Sequence, residues 1–420
     1  MYKNSDWKLE LSGNTIVLKE SEAHSFESGD DLQDFLDGLG QSGNVGTEKD
    51  PIDIVFASAP IRFSHPLSVP EGAHLLFSGA SFIREETSLK DTPASEAMLE
   101  IPTNASLSLV NTTIDGVQKE VGEALVSVSG QLKVGSGCVI KGGSNKNGAL
   151  GAAIHVASTG VLTMTGGTIS DNVGKQGSAV FNEGNFVLAG GSISNNTSEI
   201  GNVVNNENST FTMTGGTIHN NKVTQGCGGV FIGENCLATF TGGEISANAH
   251  SDVYSWSDVK FSGNTKVAGL YMSVAPAKLL VSSALQYNLK LASVAETVVP
   301  GIVVAQGTGG YKLTAQDLAK ISCPDEKWVY ALKEGNVVLV DKGSTAIEEV
   351  AMHRKIYMEN GHLILTGQRI GEPYFIYAVS GKLVHAGKIT SDRDSYYLTE
   401  TGLFIVKCGR NTFKVVNLSR

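Results

Sequence analysis

Positive charge is in short supply in this sequence. Lys and Arg number 32 against 42 Asp and Glu, a formal net charge of −10. That balance argues against binding nucleic acid or an anionic membrane through bulk electrostatics, since both need basic patches. No run of apolar residues is long enough to cross a bilayer as a helix, so no transmembrane segment is expected. Cysteine is also sparse. Cys138, Cys227, Cys236, Cys323 and Cys408 are odd in number and far apart, which makes no disulfide framework. Only Cys227 and Cys236 lie near each other, and a metal would need more ligands at short spacing. The five read as buried or half-buried thiols, and no cofactor is expected.

Proline is scarce as well, 10 residues against 49 glycines, so many tight turns must be made by glycine. Hydrophobic residues make up 41%, enough to build a core, which excludes disorder by composition. At 420 residues the chain exceeds one ordinary compact core and suits two or three domains or one long solenoid. Its first residues, MYKNSDWKLELSGN, lack the basic start and apolar stretch of a signal peptide. Either the protein stays inside the cell or a leader is missing from this sequence.

Residues 7–18 alternate as a short strand or hairpin. A helix follows over 30–39. Ser28 or Asp30 can cap it, acidic residues fill its first turn, and Leu32, Phe35, Leu36 and Leu39 share one face. Gly38 and Gly40 are expected to end it. Its carboxylates, Asp30, Asp31, Asp34 and Asp37, read as a solvated face rather than a cation site. From Pro51 short β-branched runs alternate with turn residues, and no long amphipathic helix returns until well past Tyr271.

One phrase recurs: LTMTGGTISDN, FVLAGGSISNN, FTMTGGTIHNN and ATFTGGEISAN. Its first apolar residues are Leu162, Phe186, Phe211 and Ala238, steps of 24, 25 and 27 residues (162 to 186, to 211, to 238). Weaker copies begin at Leu75, Leu107 and Leu132, and one follows at Val259, giving about eight units. Within a strand alternate residues share a face, so Leu162 and Met164, or Phe211 and Met213, point together. Such pairs can close a core only by stacking between units. The glycine pair turns a corner where a side chain would collide or φ must be positive. This is the logic of a parallel β-helix.

A second column supports it. Asn172, Asn196, Asn221 and Asn248 hold equivalent positions and are expected to form a buried asparagine ladder along the axis. The ladder also explains the N-x-Ser/Thr pattern at Asn196 better than glycosylation does. A leucine-rich horseshoe fails because its leucine-asparagine grammar and helices are missing, and a propeller needs longer units.

The open ends must be covered. The N-terminal strands and helix can cover the first coil. Residues 271–342, strands with one short helix over 314–320 capped by Thr314, suit the other end. After a polar linker, DKGSTAIEEVAMHRK, alternating strands and turns at Asn360-Gly361, Ser380-Gly381 and 409–411 suggest a small antiparallel sandwich. The expected organisation is N-terminal strands and helix at 1–50, right-handed parallel β-helix coils at 51–270, an end region at 271–342 and a β-sandwich at 343–420.

The helix, the TGGTISDN repeats, GIVVAQGTGGYKLTAQDL and NVVLV together resemble parallel β-helix (pectate-lyase-like) surface proteins of Gram-negative gut anaerobes. The tail, IYAVSGKLVHAGK with GLFIVKCGRNTFKVVN, resembles the C-terminal sorting domain of the type IX secretion family. Gly402, Leu403, Phe404, Ile405, Val406 and Lys407 fit its usual ending, with Phe404 where tyrosine is commoner. The resemblance implies export to the cell surface or beyond, and with it a leader lost from this sequence. Relatives of this fold include adhesin-like proteins and polysaccharide-cleaving enzymes, so the fold leaves function open.

Two function classes follow: a non-catalytic surface protein that binds glycan or host matrix, or a polysaccharide lyase or glycoside hydrolase. Hydrolysis needs two carboxylates across a groove. The repeats carry few. Glu183, Glu207 and Glu234 fall in the turn before the apolar strand on consecutive coils, an edge that could hold a cation or a sugar hydroxyl, or simply keep the turns soluble and repel other strands. His155, His219 and His250 show no paired ligand, and His155 aligns with Phe181 and Val204. The polygalacturonase set of asparagine-threonine-aspartate, paired aspartate, glycine-histidine-glycine and arginine-isoleucine-lysine is missing. In HSDVYSWSDVKF, Tyr254 and Trp256 lie near Asp252 and Asp258 and could stack a sugar ring or cap the last coil. The expectation is a non-catalytic glycan-binding protein with no catalytic residues. Its candidate contacts are these aromatic and acidic residues, and no oligomeric state is specified.

Overall fold

The computed structural model describes residues 7–12, 15–20, 28–43, 45–56, 59–85, 97–148, 151–272, 277–293, 300–342, 355–366, 368, 370–391, 393–409 and 411–417. Most of the linker anticipated after Asp341, and Arg410 of the last anticipated turn, lie outside them. The chain divides into two units, residues 1–325 with 330–339, and residues 326–329 with 340–420.

The first unit is a parallel β-solenoid of about nine turns. The register read from the sequence holds coil by coil. Leu75 pairs with Leu107, Leu107 with Leu132, Leu132 with Leu162, then Phe186, Phe211, Ala238 and Val259 follow in one column. The column extends in both directions, to Ile52 before Leu75 and to Leu279 and Ala305 after Val259. Parallel pairing therefore continues beyond residue 270 into the stretch anticipated as an end region.

Inward residues of this column and the next are almost wholly buried, among them Leu162, Met164, Phe186, Leu188, Phe211 and Met213. Phe186, Phe211, Phe240 and Phe261 follow one another at ring separations of 5.2, 5.5 and 5.0 Å. These rings bury a large apolar area per coil and make each turn depend on the next.

The glycine pair divides its labour. The first glycine is required by close approach: a Cβ on Gly190 would lie 2.5 Å from the Thr165 carbonyl oxygen, and one on Gly215 2.3 Å from that of Ala189. The second is required by backbone, with φ of 74° at Gly167, 87° at Gly191, 75° at Gly216 and 85° at Gly243.

The asparagine ladder is present. The side-chain amide of Asn172 donates to Asn196 Oδ1 at 2.9 Å, Asn196 to Asn221 at 3.0 Å, and Asn221 to Asn248 at 3.0 Å. Each accepting oxygen also takes the backbone N–H of the asparagine one coil earlier, at 3.1, 3.0 and 3.2 Å. Buried polar groups are tolerated when satisfied in this way. A second set was not anticipated: Asn182 donates to Asn205 at 2.9 Å, and Asn205 to the Phe231 carbonyl at 3.2 Å.

At the first coil, strand Thr15–Glu20 pairs antiparallel with Trp7–Ser12 and parallel with Ile52–Val55. Helix α1, Gly29–Ser42, buries Leu32, Phe35 and Leu36 and is capped by Ser28. It runs through Gly38 and Gly40 and ends at Gly43, the residue with left-handed backbone, φ 73°. Its Gln33 amide both donates to the Ser68 carbonyl at 3.1 Å and accepts the Ser68 N–H at 2.7 Å. Strand Leu67–Ser68 is the edge of an eleven-stranded parallel sheet, so Gln33 completes the edge as a neighbouring strand would. At the other end, strand Asn336–Asp341 pairs antiparallel with Val303–Gly307, and helix α2, Ala315–Leu318, begins at Thr314 with a capping box to Asp317.

The second unit has a three-stranded antiparallel sheet (Lys355–Glu359, His362–Thr366, Arg393–Tyr397) and a four-stranded one (Pro373–Ala378, Leu383–Lys388, Gly402–Cys408, Asn411–Asn417). Leu363 and Leu365 from one sheet and Ile376, Phe404 and Val406 from the other share one core. The Asn360-Gly361 turn has positive φ at both residues, 50° and 78°, as a tight hairpin requires.

Candidate functional site: an aromatic column beside an acidic corner

The eleven-stranded sheet contributes one outward residue per coil. His155 pairs with Phe181, Phe181 with Val204, Val204 with Phe231, Phe231 with Tyr254, and Tyr254 with Tyr271. Inward neighbours on each side are buried, for example Val253 and Ser255 around Tyr254.

Outward position alone does not expose these residues. Phe181 and Val204 are each 4% exposed because the preceding connections lie across them. Gly177 and Gly201 let those connections approach: a Cβ on Gly177 would sit 2.9 Å from the Phe181 Cβ, and one on Gly201 3.1 Å from Val204 Cγ2. The connection into the strand carrying Val204 is residues 195–200, and it becomes shorter than that only before Tyr271. Residues 220–226 lead into the strand carrying Phe231, 247–252 into that of Tyr254, and only residue 268 into that of Tyr271. Phe231, Tyr254 and Tyr271 are half-buried. The rings of Phe231 and Tyr254 stack, 6.0 Å apart and 12° from parallel. Trp256 stands edge-on to Phe231 at 5.1 Å and is 40% exposed.

The acidic turns meet this column at the same corner. Asn182, Asn205, Ile232 and Ser255 pair in register, and the ladder continues one residue further through the N–H groups of Asn206, Gly233 and Trp256. Glu183, Asn206, Gly233 and Trp256 thus form one column. Glu207 and Glu234 follow Asn206 and Gly233, occupy equivalent places on successive coils, and are exposed.

Glu183 differs from the other two. One carboxylate oxygen faces His155 Nε2 at 2.9 Å, and the other accepts the Asn206 side-chain amide at 3.2 Å. It is part of a His155–Glu183–Asn206 chain rather than a free acid. Asp258 is exposed, and its carboxylate accepts the Lys278 backbone N–H at 2.7 Å. Asp252 does not join the aromatic residues at the surface. It is 6% exposed and accepts from the Asn248 side chain at 3.0 Å and the Gly269 N–H at 3.1 Å. Burial pushes its carboxyl pKa above the ordinary value, against the lowering effect of those hydrogen bonds. Its place is the end of the asparagine ladder.

Sequence reasoning missed Phe231, Tyr271 and Asn206. Extending the alignment of His155, Phe181 and Val204 by further coils would have reached both aromatic residues.

Among the described residues, no group of three or more His, Cys, Asp and Glu side chains could hold a metal ion, and no helix is long and apolar enough to cross a membrane. A row of half-buried rings ending on the exposed Trp256, with hydrogen-bonding groups along one side, suits packing and orientation of a flat, hydroxylated ligand. No family model matches the chain, and no curated protein matches it.

Proposed function

We propose that this is an exported, cell-surface or secreted, non-catalytic β-helix protein that binds glycan, of the host surface or matrix or of another source, at the Phe231–Tyr254–Tyr271 column and Trp256. The observation that carries the reading is the half-buried aromatic row on consecutive coils, with Phe231 stacked on Tyr254 and the exposed Trp256 against it. Pyranose rings present apolar C–H faces that pack on aromatic rings, while their hydroxyls seek acceptors such as Glu207 and Glu234. Export rests on the resemblance to surface β-helix proteins of gut anaerobes and on the GLFIVK ending, read as a type IX sorting domain. A glycan array probed with the wild type and Trp256→Ala tests the reading. Saturable binding that Trp256→Ala abolishes supports it; no binding to any glycan, or binding indifferent to the variant, overturns it.

A polysaccharide lyase or glycoside hydrolase is the second reading, favoured by the His155–Glu183 contact, where a carboxylate orients an imidazole. Incubation with pectin, alginate and chondroitin tests it, and release of unsaturated or reducing ends would establish it over the first.

A further inference from the structure

Resting on the glycan-binding reading, we infer that the ligand is an amine-bearing glycan, a chain of hexosamines with free amino groups, laid along the solenoid axis across successive coils.

The direction follows from the register. Phe231, Tyr254 and Tyr271 come from three consecutive coils in direct Cα partnership, so the aromatic row runs along the axis and not around it. Neighbouring strands in a sheet lie ~4.8 Å apart, comparable to one pyranose ring, so an extended glycan can offer each coil one sugar. The parallel ladder keeps that spacing fixed.

The charge follows from the corner. Glu234 lies on the coil of Phe231, and Glu207 holds the equivalent place one coil earlier, on that of Val204, both exposed. The stretches 206–208, 231–235 and 254–258, together with Tyr271, contain no Lys or Arg. Lys260 and Lys278 follow Asp258, which accepts the Lys278 N–H, and the exposed Lys290, partner of Gly269, stands at the Tyr271 end of the row, away from Glu207 and Glu234. A chain of uronates or sulfated sugars would bring like charge against both carboxylates, whereas the ammonium groups of a hexosamine chain would bring opposite charge. Aromatic faces also favour cations, which adds to the same preference.

The test is calorimetric titration of the full chain with matched β-1,4 oligomers of glucosamine, N-acetylglucosamine and galacturonate, at mildly acidic pH where the amines are charged. The glucosamine oligomer is expected to bind about tenfold more tightly than the N-acetylated one, with galacturonate weakest. In Glu207→Gln/Glu234→Gln that preference disappears while affinity for the N-acetylated oligomer stays within about twofold. The inference is overturned if the double variant keeps the preference or if galacturonate binds as well as glucosamine. Loss of N-acetylglucosamine binding in Trp256→Ala would then still leave the aromatic reading standing. If wild type binds none of the three, or Trp256→Ala changes nothing, the aromatic reading itself falls together with this inference.

Discussion

Asn248 donates its side-chain amide to Asp252 Oδ1 at 3.0 Å, and its backbone N–H reaches the same oxygen at 3.2 Å. The neutral ladder of asparagines therefore ends on a buried carboxylate, whose other oxygen takes the Gly269 N–H. An asparagine side chain carries both donor and acceptor and passes the pattern on; a carboxylate only accepts, so the pattern stops there.

Removing the centre of the ladder should be severe. Asn221→Ala deletes the acceptor for two Asn196 donors and the donor to Asn248 and to the Ile193 carbonyl. Several buried groups lose partners at once, and the expected loss is about 2–4 kcal/mol. Urea denaturation of the variant reads it directly, and an unchanged midpoint would refute the ladder's energetic role.

The pH response of Asp252 has a definite sign. Its folded pKa lies above the ordinary 3.8, chiefly through burial. The folded state thus holds the proton more tightly than the unfolded state. Its contribution to stability is greatest at low pH and declines as pH rises from about 3.8 through the raised folded pKa. The stability difference between wild type and Asp252→Asn should shift in favour of wild type as pH falls through that window. Denaturant curves for both proteins across acid pH would show it; a shift the other way would mean the carboxylate is net stabilised by its donors.

Residues preceding the ladder asparagines share a left-handed backbone: Asp171, Asn195, Asn220 and Ala247 have φ between 56° and 58°. Asp and Asn tolerate that region, but alanine gains nothing from it. Ala247 is exposed, so a larger side chain has room. Ala247→Asn should stabilise the fold by about 0.5–1 kcal/mol, visible as a higher denaturation midpoint.

Native thiol reactivity should single out one cysteine. Cys138, Cys227, Cys236 and Cys408 are buried, whereas Cys323 is half-buried. Burial pushes the Cys227 thiol up to about 12. Brief alkylation of the folded protein, followed by peptide mass analysis, should find label at Cys323 and little elsewhere.

The coil register was legible because two features are stereochemically obligatory. Gly190 cannot carry a Cβ, Gly191 needs positive φ, and Asn196 must be an amide, so each leaves the same letters in the coils that have this corner. Coils without that corner were harder to read: strands Leu279–Val281 and Val303–Gly307 join the ladder on apolar pattern alone. The helix end was misread because glycine within a helix is tolerated, and only Gly43 takes the left-handed backbone that stops it. At the site, Trp256 and Glu234 were visible as separate suggestions. Their meeting at one corner depends on pairing from Asn205 through Ile232 to Ser255, which has no mark in the sequence. Asp252 looked like a surface acid because nothing local tells a ladder terminus from a loop carboxylate.

The aromatic row is tested most directly through Trp256 itself. Trp7→Phe and Trp328→Phe leave it as the single tryptophan. Titration with the saccharide that binds best on the array should then change its emission saturably, with the same midpoint as calorimetry. Calorimetric binding with no change in Trp256 emission, and with affinity retained in Trp256→Ala, would contradict the account.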